Sequence, residues 1–426
     1  MGTQSYVHVR SDRGSSVEVT RVKAYRPPRL GFDVPLLLVV IALILFGMLM
    51  VYSASADYSF QVYGSQSYIF LRQLRWMGLG GLIMVFLSFL DYHYWKKLAL
   101  PLMGGAILAL VAVLIIQDTR LGSVRSLFRG SVQPSELAKF GIVIYLSVWL
   151  HNRRELLKNI YWAMIPLSVI MGIVGGLIAL QPDLSAVVTI GLLGTLMFFL
   201  AGGSLKHFLF MMAVGVLVGV VVMKSGLFPT GPDRMNSFLA GLKDPLQYSE
   251  HVRRSLEAFM KGGWVGVGIG KSQTKLNGLP FPHTDSVFAV VGEETGVLGA
   301  GLLVVLYLLL MWRGWTISRK ATDGLGMILA GGLTFWLTME ALINMLVMVG
   351  LLPFAGNALP FISSGGSNLI VVMSSIGVLM NVSRTAEKTK RNEEKGNNAV
   401  VNLRRGDRRR RVSRSVRPQA ADELEA

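Results

Sequence analysis

Residues 34–52 read VPLLLVVIALILFGMLMVY, nineteen residues without one charge. At about 1.5 Å per helical residue such a run covers most of a hydrocarbon core about 30 Å thick. Lipid offers the backbone no hydrogen-bonding partner, so a continuously apolar run of this length is expected to be a helix. Comparable runs recur near 74–90, 98–116, 136–150, 160–180, 184–201, 208–223, 295–312, 326–349 and 368–383. The expected fold is all-α: a polytopic membrane protein with ten transmembrane helices and a large extracellular loop between helices 7 and 8. The composition agrees, with 52% hydrophobic and 16% charged residues in a chain of 426. Cysteine is absent, which excludes disulfides, thiolate metal sites and thiol nucleophiles. The first apolar run follows a long charged tail and is too long for a signal sequence, so it is expected to stay as an anchor.

Most of the net charge of +17 sits in the tails and loops. Residues 1–31 carry Arg10, Arg13, Arg21, Lys23, Arg26 and Arg29 and read as a disordered basic tail. Residues 32–384 read as the membrane domain, with its extracellular loop at about 224–294. Residues 385–426 read as a second disordered basic tail, with Arg404-Arg405 and Arg408 to Arg411. Lys96-Lys97, Arg153-Arg154, Lys206 and Arg319-Lys320 alternate with cation-poor loops near Asp183 and Gly356. The positive-inside rule then puts both termini in the cytoplasm. Basic tails beside a membrane are expected to attract anionic lipid. No folded readout module accompanies the arginines, so nucleic acid is not an expected partner.

Chemistry concentrates between Gly262 and Gly296, GGWVGVGIGKSQTKLNGLPFPHTDSVFAVVGEETG, where glycines, cations, carboxylates and a His gather between apolar runs. Five glycines between Gly262 and Gly270 oppose a helix there, each by roughly 1 kcal/mol relative to Ala. Asp285 stands just before an apolar run and is the leading catalytic candidate; capping the following helix is its plainer reading. Polar groups set into or against spans mark function or a partner. They are Glu136 with Lys139 three residues on, Asp183, Glu293 and Glu294, Glu340 with Asn344, and Ser363 to Ser367. Each has a plainer reading: an internal ion pair for Glu136 and Lys139, a helix cap for Asp183, packing or partner contact for Glu340, a helix start for the serines. No second His stands near His283 to complete a metal site.

Short strings recur in order along the chain: VYSAS at Val51–Ser55, GSVR at Gly122–Arg125, QPSELAK at Gln133–Lys139 and QPDL at Gln181–Leu184. RMNSF follows at Arg234–Phe238, then LPFPHTDSVFAVVGEETG from Leu279, and LPFISSGGSNL at Leu359–Leu369. Together they resemble the SEDS family (shape, elongation, division and sporulation), whose FtsW and RodA members polymerise glycan strands from lipid II. The likeness covers about residues 33–384 and is strongest toward the FtsW branch of cell division. It implies a peptidoglycan glycosyltransferase working at the outer face of the cytoplasmic membrane, at the division septum, with Asp285 as general base. Substrate contacts are expected from Arg125, Glu136, Lys139, Asp183, Arg234, Lys271, His283, Thr284, Ser363 and Ser367. Where the family has a Glu before its HTD motif this chain has Phe281, so that position supplies no essential acid here; Ser126 stands where many members have Trp. No metal-ligand spacing is visible, although a divalent cation (Mg2+ or Mn2+) on the diphosphate, near Asp183 or Glu136, stays open. The implied partners are lipid II and the growing glycan strand, a class B penicillin-binding transpeptidase and other membrane proteins of the divisome. A lipid II flippase and a non-catalytic division scaffold that activates a synthase are the alternatives.

Overall fold

The computed structural model describes residues 31–116, 133–158, 160–224 and 230–412. All regular structure among them is helical. The elements are α1 (Val34–Tyr63), α2 (Tyr68–Phe89), α3 (Trp95–Ile116), α4 (Pro134–Asn152), α5 (Ile160–Ala179) and α6 (Leu184–Leu200). They continue with α7 (Leu205–Lys224), α8 (Thr230–Gly241), α9 (Glu250–Gly262), α10 (Val287–Lys320), α11 (Gly324–Met348) and α12 (Gly366–Val412).

Each apolar run of the sequence falls on one of these helices. Among the described residues, six segments are long and apolar enough to cross a membrane: α1, α2, Tyr92–Ile116, α10, α11 and Gly366–Glu393. The apolar parts of α5, α6 and α7 are shorter: Met164–Ala179, Leu184–Leu200 and Leu205–Val221. The protein is thus a polytopic helical membrane protein. The long connection after α7 is not structureless, since α8 and the amphipathic α9 lie within it. α10 begins at Val287, eight residues ahead of the expected span. α12 runs on to Val412 instead of stopping at Arg384; its sequence from Ala386 to Lys395 has no proline and is rich in Glu, Lys and Arg, which favour helix. Residues 1–30 and 413–426, the rest of the two expected tails, lie outside the described residues.

Packing puts α11 and α12 in the interior and leaves much of α1, α2, α3 and α10 facing outward. α12 lies along α2, α10 along α11, and α3 along α4. Small residues allow the closest approaches: a Cβ on Gly377 of α12 would stand 2.5 Å from the Met84 carbonyl oxygen of α2. One end of the bundle is closed by capping and pairing. Asp33 accepts from Leu36 N at 2.9 Å to start α1 and receives the Arg313 guanidinium at 2.5 Å. Asp323 accepts from Gly326 N at 2.9 Å to start α11 and from the Tyr92 hydroxyl at 2.7 Å. Helices starting here run to the opposite end, where the HTD segment sits.

Candidate active site around Asp285

Three successive carbonyls of the HTD segment are each held by a different group. The His283 carbonyl accepts from Ser364 N at 2.8 Å, and the Thr284 carbonyl accepts from Ser363 Oγ at 2.7 Å. Ser363 Oγ in turn accepts from Leu359 N at 2.7 Å. The Asp285 carbonyl accepts from Asn344 Nδ2 at 2.9 Å, and the same amide reaches the Asn357 carbonyl at 2.6 Å. The N-cap position of α10 belongs to Ser286. Asp285 therefore stands outside the helix, with its main chain clamped and its side chain, half-buried, against Gly356; a Cβ there would lie 3.0 Å from Asp285 Oδ2.

Aromatic and cationic groups pack against the segments that flank this acid. The Phe354 ring stacks on His251 with centroids 4.1 Å apart, and the Arg234 guanidinium lies 5.4 Å from the Phe354 centroid. His251 Nδ1 is 3.4 Å from Ser286 Oγ. Burial pushes the His251 imidazole below its usual range, and Arg234 adds to this while Glu250 opposes it. His283 stacks on Tyr58 at 4.9 Å; burial, reinforced by Arg72, brings its pKa down to about 4. Both rings are thus neutral at physiological pH.

A chain of polar contacts ties this segment to four other helix starts. Gln73 on α2 donates to the Ser363 carbonyl at 3.4 Å and accepts from Gly365 N at 3.2 Å, just before α12. Ser367 Oγ accepts from Gln133 N, the residue ahead of α4, at 3.0 Å. Gln133 Nε2 donates to Asp183 Oδ2 at 3.3 Å, while Asp183 Oδ1 caps α6 by accepting from Ala186 N at 3.2 Å. The second turn of α2 and the first turns of α4, α6, α10 and α12 therefore gather at the end that carries Asp285. Helix N-termini carry a positive dipole end, which suits an anion; at α6 the Asp183 carboxylate already takes up part of it.

The profile of the "Cell cycle protein" family (FtsW, RodA, SpoVE) matches residues 34–388. The chain belongs to that family. A probable peptidoglycan glycosyltransferase FtsW from Geobacter sp. strain M18 is 34% identical over 359 residues, 83% of this chain and 97% of that relative. The stage V sporulation protein E of Bacillus subtilis strain 168 is 35% identical over 359 residues, 82% of this chain and 96% of that relative. Among solved structures, one reported as "Structural coordination of polymerization and crosslinking by a peptidoglycan synthase complex" matches with a TM-score of 0.69 at 28% identity. It covers 84% of this chain and 99% of its counterpart.

Within the FtsW/RodA/SpoVE frame, the remaining sequence candidates separate. His283, Thr284, Asp285, Ser363, Ser367 and Asp183 join the network just described. Arg234 lies beside it through Phe354, and the Lys271 side chain is exposed on the loop that precedes the HTD segment. Lys139 is 4% exposed, with its ammonium 2.8 Å from Glu136 Oε1 and also paired with Glu340 Oε1; Asn368 donates to Glu136 Oε2 at 3.1 Å. The plainer reading of Glu136 and Lys139, an internal ion pair, describes their placement, and Glu340 joins them inside the bundle. Arg125 lies outside the described residues. Asp183 and Glu136 are turned to a helix cap and an ammonium, and no group of three or more His, Asp or Glu gathers for a metal among the described residues.

Glu293 and Glu294 prove to be the anchors of the Gly-rich loop. Glu293 accepts from Gln273 N at 3.0 Å, from Thr274 N at 3.2 Å and from Ser272 Oγ. Glu294 accepts from Ser53 Oγ at 2.6 Å and pairs with Lys275 at 2.9 Å. Sequence reasoning missed Lys275, His251, Phe354 and Gln73. None left a signal: Gln73 stands between Arg72 and Arg75, where the apolar run near 74–90 begins, and the others sit in polar or mixed stretches where nothing distinguishes them.

Proposed function

We propose that this chain polymerises lipid II into peptidoglycan glycan strands, with Asp285 as the general base. The carrying observation is the clamped Asp285, outside the cap of α10, at the end where five helix starts converge. The acid takes the proton from the 4-hydroxyl of the acceptor's N-acetylglucosamine while that oxygen attacks the anomeric carbon of the donor. The donor's bond to undecaprenyl diphosphate breaks as the new bond forms. A single displacement turns the α-linked donor into a β-1,4 product.

A positioned base contributes about 10²–10⁴ in rate. Electrostatic support of the departing diphosphate carries the larger share. Helix N-termini gathered at one end of the bundle supply such support without a mobile charge. Arg234, with its guanidinium fixed against Phe354, and Lys271 add positive charge, and Arg125 is the further candidate on the α3–α4 connection. The neutral His283 packs the loop against Tyr58. Lys139 serves packing, joining α4 to α11 through Glu136 and Glu340.

The chemistry requires the Asp285 end to face the outer side of the cytoplasmic membrane, where the lipid II headgroup is displayed. Both termini then lie in the cytoplasm, with their arginines against anionic lipid. The likeness to FtsW members and to a chain of a peptidoglycan synthase complex supports work at the septum beside a class B penicillin-binding transpeptidase.

The test is purified full-length chain in proteoliposomes with lipid II and no other synthase, with products sized by gel. Glycan chains support the polymerase. Lipid II that only changes leaflet supports a transporter, and stimulation of an added synthase without glycan from the chain alone supports a scaffold.

A further inference from the structure

α10 is broken at Gly296, whose φ of 67° and ψ of −169° leave the helical region. In an unbroken helix the Val297 and Leu298 amides would donate to the Glu293 and Glu294 carbonyls. Here Val297 N donates to the Gly263 carbonyl at 2.9 Å and Leu298 N to the Trp264 carbonyl at 3.2 Å. The two vacated carbonyls accept from Val267 N and Gly268 N, each at 3.0 Å. Residues 263–268 thus complete the helix's own hydrogen bonding. Only glycine fits the seam, because a Cβ on Gly266 would stand 2.3 Å from the Glu294 carbonyl oxygen.

The depth of that seam can be read along two helices. Ser53 lies twenty residues past Asp33 on α1, about 30 Å of helix, so the Ser53–Glu294–Lys275 cluster stands about one hydrocarbon thickness from the Asp33–Arg313 pair. Leu298 lies fifteen residues before Arg313 on the unbroken part of α10, about 22 Å from it. Trp264, bonded to Leu298, therefore sits below the cluster, within the hydrocarbon thickness. Residues 262–270, GGWVGVGIG, carry no charge. Trp264 is 74% exposed, Val265 75% and Ile269 53%, and they continue the outward face that Val297, Leu298 and Leu302 of α10 present.

We propose that residues 263–269 form a re-entrant wedge whose Trp264, Val265 and Ile269 side chains contact the acyl chains of the leaflet on the Asp285 side. Irregular backbone at that depth is tolerated because the break in α10 satisfies it. The apolar Trp264, Val265 and Ile269 side chains suit that depth, and the exposed Lys271 follows where the segment leaves it. Residues 271–282 lead from the wedge to the HTD segment, so the wedge ties the height of Asp285 to the bilayer. The proposal is independent of the reaction assigned above.

The chain has no cysteine, so single labels need no background removal. Trp264→Cys and Val265→Cys, spin-labelled in nanodiscs of phosphatidylethanolamine and phosphatidylglycerol that hold one chain and no other protein, are read by collision with oxygen and with a water-soluble nickel chelate. Leu302→Cys serves as the lipid reference and Lys243→Cys as the water reference. The expected oxygen-to-nickel ratio at 264 and 265 matches position 302 and exceeds position 243 at least about fivefold. A ratio like that of 243 overturns the wedge. So do low collision rates with both reagents, which mean that protein covers the patch.

Discussion

Asn344 of α11 holds the backbone of Asp285: its Nδ2 reaches the Asp285 carbonyl at 2.9 Å and the Asn357 carbonyl at 2.6 Å. One buried amide thereby joins the acid's segment to the connection that carries Gly356. Asn344→Leu keeps the volume and leaves both carbonyls without this donor, a penalty of about 1–3 kcal/mol for each unsatisfied group. Thermal unfolding in detergent should fall, and the polymerisation rate at saturating lipid II should fall at least about tenfold through misplacement. A lowered unfolding temperature with an unchanged rate would assign Asn344 to folding alone.

Gly356 offers a more local probe. A methyl group there would stand 3.0 Å from Asp285 Oδ2, closer than carbon and oxygen ordinarily pack, so the carboxylate must move by a few tenths of an ångström. Gly356→Ala should lower the turnover rate by about tenfold with little change in unfolding temperature. Steady-state kinetics with lipid II checks this, and wild-type turnover would show that the carboxylate tolerates displacement.

Lys139 holds two buried carboxylates, Glu136 and Glu340. Lys139→Met strands both, and breaking a buried pair of this kind destabilises by about 3–5 kcal/mol. Adding Glu340→Gln should recover part of the loss. If Lys139→Met instead left the unfolding temperature intact and raised the lipid II requirement, the ammonium would belong to the substrate's diphosphate.

The ten apolar runs and the HTD, QPSELAK and SSGGS strings were legible because bilayer thickness and the cost of buried charge constrain sequence directly. What was not legible depended on partners distant in the chain. Glu293 and Glu294 read as polar groups in a span, yet their roles come from Ser53 and from residues 272–275, which only the fold brings to them. Lys139 and Glu136 share a face by spacing alone, while Glu340, some two hundred residues on, is what completes their pairing. His251 and Phe354 lie in segments of unremarkable pattern, and their stacking beside Arg234 follows from how α9 meets the α11–α12 connection.

The pH response of stability has a defined sign. His283 takes up its proton near pH 6.5 when unfolded but only at about 4 in the folded chain, because burial and Arg72 oppose the charge. The unfolded chain therefore binds more protons between these values, and stability is lost as pH falls through that window. His283→Phe keeps a ring against Tyr58 and should flatten the decline of unfolding temperature between pH 6.5 and 4.5, leaving the contribution of His251. An equally steep decline in the variant would mean that His283 does not set it.

The most direct measurement compares wild-type and Asp285→Asn chains, purified whole and reconstituted with lipid II as the sole substrate, by the rate of glycan formation. Asn keeps the shape and removes the base. The expected result is correct insertion, an unfolding temperature close to wild type, and glycan synthesis reduced by about 10²–10⁴. Glycan made by Asp285→Asn at the wild-type rate would contradict the assignment of Asp285 as the base.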